Sequence, residues 1–239
     1  MKIFKYALLS LVATFMLNGC SSANLELTTE QINNINNISV RKPRFSKNIE
    51  LEIEGGLKTS EVEKALVTTG SLELMLLGGL IDKSIHANKQ NKFEMKYKNE
   101  LSKIREYKVD NIDNRIESIM LSVLEKDSFL NTKTVNNSST NFDSEISLFG
   151  LEKRYSDQNN EAYLGAKIVL VVFLIGNDGK HLINDVTLIT NSKDSYSVTE
   201  LSNDNTLVEK LFEQAYNNFE KLFTFHLNRT FKNKTNFTK

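Results

Sequence analysis

The sequence predicts a layered α/β domain, a mixed, mainly antiparallel sheet with helices packed on it. Three observations carry that expectation. The run 166–175, AKIVLVVFLI, is almost wholly apolar and rich in β-branched residues, the mark of a strand buried on both faces. Segments 110–126 and 206–229 repeat apolar residues at helical spacing, giving each a stripe fit to cover a sheet. The elements follow as one strand, a helical middle, three strands and a long helix, the order of a layered fold with a single core.

Composition narrows the function classes. The 239 residues carry Lys+Arg 30 against Asp+Glu 30, are 40% hydrophobic, and include 10 Gly, 1 Pro and 1 Cys. Collagen-like, disulfide-stapled and strongly disordered chains are excluded. Balanced charge gives no electrostatic reason to expect a nucleic-acid partner. No run of roughly 18 apolar residues exists, which excludes a polytopic membrane protein.

Lys2 and Lys5 precede an apolar stretch from Tyr6 to Leu17, the length of a secretory signal core and too short for a stable span. The stretch ends in Leu17-Asn18-Gly19-Cys20. These residues resemble the lipobox of bacterial lipoproteins, with Asn18 standing where a small residue is usual. The resemblance implies that residues 1–19 are a lipoprotein signal peptide and that Cys20 is the lipidation site. Two or three palmitate-type acyl chains there would hold the protein to a membrane, because one chain binds only marginally. Ser21 is not the Asp that resembles an inner-membrane retention signal in enteric-type bacteria. The resemblance therefore implies the bacterial cell envelope, at the outer membrane where the host has two. With Cys20 lipidated, no cysteine remains for a disulfide, and the core alone must hold the fold.

Residues 20–37 read as the lipidated cysteine and a polar, Asn-rich tether with room for one short helical turn. A single α/β domain is expected over 38–230, with a helical insertion at about 60–107. Leu51 and Ile53 alternate with Glu50, Glu52 and Glu54 as in a strand with one wet face. Ser60 to Glu63 has capping-box spacing for a helix start. From Asn88 to Tyr107 the chain is charged and helix-prone, and Ile112, Ile116, Met120 and Val123 make the stripe of the 110–126 helix. Glu145–Leu151 suggests a strand with Ile146 and Leu148 on one face. Asn177-Asp178-Gly179 is a hairpin signal, and 181–190 returns as the partner strand. Thr206 and Glu209 form a second capping box for the last helix, and residues 231–239 are a short basic tail expected to fray.

Chemistry is sparse. His86, His181 and His226 lie on separate segments without ligand spacing, so neither a metal nor a cofactor is expected. No P-loop, dinucleotide fingerprint or nucleophile elbow occurs. Asp110 and Asp113 sit at a helix start, where acids complement the macrodipole, and are not read as a catalytic pair. No catalytic residue is assigned and no enzyme is expected. Arg41, Lys42, Arg44 and Lys47 around Pro43 read either as a contact for anionic headgroups or glycans, or as a solvated edge that blocks sheet extension.

The segment 71–86, SLELMLLGGLIDKSIH, is apolar around a glycine pair. It reads either as a core helix or as an exposed ridge, with Leu76, Leu77, Gly78, Gly79 and Leu80 as the contact for a membrane or partner helix. The order of features is similar to a loose group of uncharacterised bacterial envelope lipoproteins. From Ile112 to Leu227 the pattern also resembles the small α/β domains of periplasmic accessory lipoproteins. That resemblance implies a non-enzymatic accessory or assembly factor that binds an envelope protein partner. A binding module for a small molecule, lipid or cell-wall glycan is the alternative, and a hydrolase a third.

Overall fold

The computed structural model describes residues 25–45, 51–55, 87–107 and 111–237. The signal, Cys20 and the 71–86 segment, with Leu76, Leu77, Gly78, Gly79 and Leu80, lie outside the described residues.

Strands β4 (Asn141–Ser156) and β5 (Ala162–Ile175) form a long antiparallel hairpin at the centre of a mixed sheet. Strand β6 (Val186–Asn191) pairs antiparallel with β5, and β7 (Tyr196–Ser197) continues along the same β5 edge. Three short strands, β1 (Ser39–Val40), β2 (Arg44–Phe45) and β3 (Glu52–Glu54), run parallel to β4 along its outer edge. The expected class, a mixed sheet with helices packed on it, is therefore the observed one.

Two helices seal one face. Helix α3 (Ile112–Lys126) buries the stripe Ile112, Ile116, Met120, Val123 and Leu124, and α5 (Asn205–Thr230) buries Val208, Leu211, Ala215, Phe219 and Phe223. Met120 meets Ser144 of β4, Phe223 packs edge-on against Phe142 at 5.5 Å, and Phe212 stacks on Phe149 at 4.1 Å. Exposed pairs Arg115–Glu213 and Lys126–Glu220, both 2.7 Å, bridge the two helices. At the far end, helical residues 87–96 and α2 (Lys98–Arg105) bury Phe93, Tyr97, Leu101 and Ile104, and α2 packs on α4 (Val198–Asn203).

The structure corrects several expectations. The 166–175 run reads as a strand buried on both faces, but helices α3 and α5 reach the same one. Leu164, Ala166, Ile168, Leu170, Val172 and Leu174 are fully buried, whereas Val169, Val171, Phe173 and Ile175 are half-exposed. Among the described residues no second helical layer lies on the other face. Ile146 and Leu148 do not share a face. A bulge at Ser147 shifts the register, so Ile146 opposes Leu170 while Leu148 opposes Val169. The partner strand starts at Val186, because 181–185 form a loop whose only ladder contact is His181 with Ile175. Helix α5 is capped by Asp204, which accepts from the Thr206 amide, instead of by Thr206 with Glu209.

The tether ends earlier than the composition implied. Leu27, Ile32 and Ile35 are core residues, and α1 (Thr29–Asn34) carries its own capping box between Thr28 and Gln31. The Leu27 amide donates to the Thr230 carbonyl at 2.9 Å. The tail is fastened too, since Phe231 is fully buried, Asn233 donates to the Leu27 carbonyl at 2.9 Å, and Lys234 pairs with Asp127. Burial pushes the Asp127 carboxyl up, but Lys234 and the amides of Leu130 and Phe129 outweigh it and hold it below the usual range.

Candidate functional site

The sheet face opposite α3 and α5 is the candidate site. No described helix lies over it. Its centre is a row across three strands, Leu148 on β4, Val169 on β5 and Ile189 on β6, which oppose one another in register. Val171, Phe173 and Ile175 extend the row along β5. Ile189 is 44% exposed while its neighbour Leu188 is 4% exposed, so the strand alternates between a wet and a dry side.

The polar groups around this strip carry both signs. At one end Glu152 accepts from Lys167 at 3.2 Å and from Arg154 at 3.4 Å. Arg154 also donates to the Asn191 side chain at 2.8 Å and to the Ala166 carbonyl at 3.0 Å, so the guanidinium ties β4 to β6 across β5. Gly165 lies under this group. A Cβ there would press on the Arg154 guanidinium at 2.7 Å and the Ser192 hydroxyl at 2.9 Å. Glu145 flanks Val171, and Arg44 lies on Asp143 at 3.0 Å beside Phe173. Tyr155 and Tyr163 stack at 4.6 Å beyond the Arg154 cluster.

The histidines are separated. His181 Nδ1 lies 2.5 Å from Asp185 Oδ1, and its ring meets Phe173 edge-on at 5.4 Å. His226 is buried on the opposite side of the sheet, in α5, where burial and then Arg229 lower its pKa to about 4. His86 lies outside the described residues. Among the described residues no three His, Cys, Asp or Glu side chains come together as a metal site. Asp113 pairs with Lys42 at 2.7 Å, and this hydrogen bond holds its carboxyl below the usual range despite some burial; Asp110 is outside the described residues. Lys42 and, with Asp143, Arg44 of the basic cluster are thus each held in an ion pair, which fits the solvated-edge reading better than a headgroup contact; Lys47 lies outside the described residues.

Sequence reasoning missed the open face. Its residues are as apolar as their buried neighbours, so alternation along β5 was invisible. The signal that was present is Lys167, a charge inside an apolar run, whose ammonium pairs with Glu152 on that face.

Comparisons add little. No family model matches the chain, and no curated protein matches it. Among solved structures the chain is similar to a minor lipoprotein from Acinetobacter baumannii at 12% identity and a TM-score of 0.36, over 51% of this chain and 91% of that one. A likeness that weak carries no inference about fold or task. No described helix is long and apolar enough to cross a membrane.

Proposed function

We propose that this protein is a lipid-anchored bacterial envelope lipoprotein that works without catalysis, docking the open face of its sheet on a protein partner. The open face carries the reading. An apolar centre of Leu148, Val169, Val171, Phe173, Ile175 and Ile189, rimmed by charges of both signs, has the anatomy of a protein–protein interface. A surface that lies on lipid would instead need a rim dominated by Lys and Arg. The anchor rests on the lipobox-like Leu17-Asn18-Gly19-Cys20, and outer-membrane placement on Ser21.

The test is site-specific photocrosslinking in intact cells. A photoreactive residue at Ile189 is expected to give one discrete protein adduct, identified by mass spectrometry as an envelope protein. The same residue at Lys221, on the exposed side of α5, is expected to give none. Val171→Glu on the same chain should remove the adduct while the melting temperature holds. Adducts with lipid alone, or an adduct that survives Val171→Glu, would defeat the proposal. Cys20→Ser should move the protein out of the membrane fraction, and unchanged fractionation would remove the anchor from the account.

A further inference from the structure

A second feature lies away from the open face. Helical residues 87–96 place Lys89, Lys92 and Lys96 at i, i+3 and i+7, on one side of the helix. Lys153, on β4, borders the same cleft of about 580 Å³. Phe93 and Tyr97 form its aromatic wall, with ring centroids 5.3 Å apart. Four lysines thus line one hollow.

Of the acids nearby, Glu161 reaches the cleft wall, accepting from the Tyr97 hydroxyl at 3.4 Å, and Glu94 and Asp157 are engaged elsewhere. Glu94 accepts from Arg105 at 3.0 Å. Glu161 accepts from the Thr199 amide and hydroxyl at 3.2 and 2.9 Å, and Asp157 from the amides of Asn159 and Glu161 at 2.9 and 2.8 Å. Among the described residues, no carboxylate pairs with Lys89, Lys92 or Lys153. Burial, then Lys96 and Lys89, pushes the Lys153 ammonium below the usual lysine range, so the cluster holds like charges together against their repulsion. The wall is also fixed in place. Asn160, at φ 59, presents its carbonyl to the Tyr97 hydroxyl at 3.0 Å and to Lys96, and Tyr97 Oη accepts from the Ala162 amide at 2.9 Å.

We propose that this cleft binds a phosphomonoester carried on a sugar or glycerol unit, with the phosphate among the lysines and the organic part against Phe93 and Tyr97. A phosphomonoester brings close to two negative charges at neutral pH and three strong acceptor oxygens, and so satisfies several lysine ammonium groups better than a single carboxylate would. The volume admits a phosphate and one sugar ring, within the usual range for a small-ligand site. The ligand is either a soluble sugar phosphate or a phosphorylated lipid headgroup, and the chemistry at the lysines is the same for both.

Calorimetric titration of the full chain in neutral detergent, at physiological ionic strength, tests this with glucose 1-phosphate, glucose and dihexanoyl phosphatidic acid. At least one phosphomonoester is expected to bind, and glucose is not. Tighter binding of phosphatidic acid identifies a lipid headgroup, and tighter binding of glucose 1-phosphate a soluble sugar phosphate; either supports the site. Lys153→Gln and Lys92→Gln should each weaken binding about tenfold, the scale of one hydrogen bond to a charged group. Lys221→Gln on α5 should leave binding unchanged. Melting curves accompany each variant. Lys153→Gln is expected to melt no lower than the parent, and the exposed Lys92→Gln carries the test if it does. Glucose binding as well as glucose 1-phosphate, no binding by either phosphate, or lysine variants that match Lys221→Gln overturns the proposal.

Discussion

His226 makes stability depend on pH, and the size of the effect follows from its place in α5. Its ring is 5% exposed, its Nε2 has no hydrogen-bond partner, and Phe223 lies 6.5 Å away between ring centroids. Burial and then Arg229 disfavour the imidazolium, so the folded pKa is about 4, below the ordinary histidine value of 6.5. The unfolded chain binds a proton before the folded one does. Stability is therefore full above the unfolded pKa and falls as pH drops from there through the folded one. At pH 5 the loss relative to neutral pH is about 2 kcal/mol, and below both pKa values it approaches about 3 kcal/mol. The assay is urea unfolding at pH 7.5 and pH 5, on the parent and on His226→Leu. The variant should lose less stability than the parent between these pH values, by about 2 kcal/mol. Equal losses in the two proteins, or a histidine pKa near 6.5 assigned to His226 by NMR, would refute the reasoning.

Three further outcomes are expected. Leu27→Ala should cost about 2–5 kcal/mol in denaturant unfolding, as for any buried leucine; a silent substitution would return residues 27–37 to the role of a loose tether. Gly150→Ala should detach β3, because its Cβ would overlap the Glu52 carbonyl oxygen, and hydrogen exchange at Glu52–Glu54 should accelerate while β5 and β6 stay protected. Arg115→Ala should change stability by less than about 1 kcal/mol, since its pair with Glu213 is exposed on both sides; a larger loss would show that the α3–α5 contact depends on it.

What could be read in the sequence was whatever a single stripe or run encodes. Helices α3 and α5 were legible because each buries one face, so Ile112, Ile116 and Met120, or Leu211, Ala215 and Phe219, recur at one period. Strand β5 was legible as a strand, but which side stays wet depends on where the helices land, and that is a tertiary fact. The bulge at Ser147 was hidden because one extra residue reverses the faces beyond it without altering composition. Leu27, Ile32 and Ile35 were hidden by the Asn-rich residues between them. Of the lysine cleft, the spacing of Lys89, Lys92 and Lys96 was visible. Lys153 was not, since only the fold brings β4 beside that helix.

The bond between the Leu27 amide and the Thr230 carbonyl has a mechanical meaning if Cys20 is lipidated. Six residues separate Cys20 from Leu27, and the seven steps between them reach about 25 Å at full stretch, so the body would ride close to its bilayer. Any pull on the mooring arrives first at Leu27, Asn233 and the last turn of α5 instead of at the sheet. Opening of that clasp would release α1 and lengthen the leash.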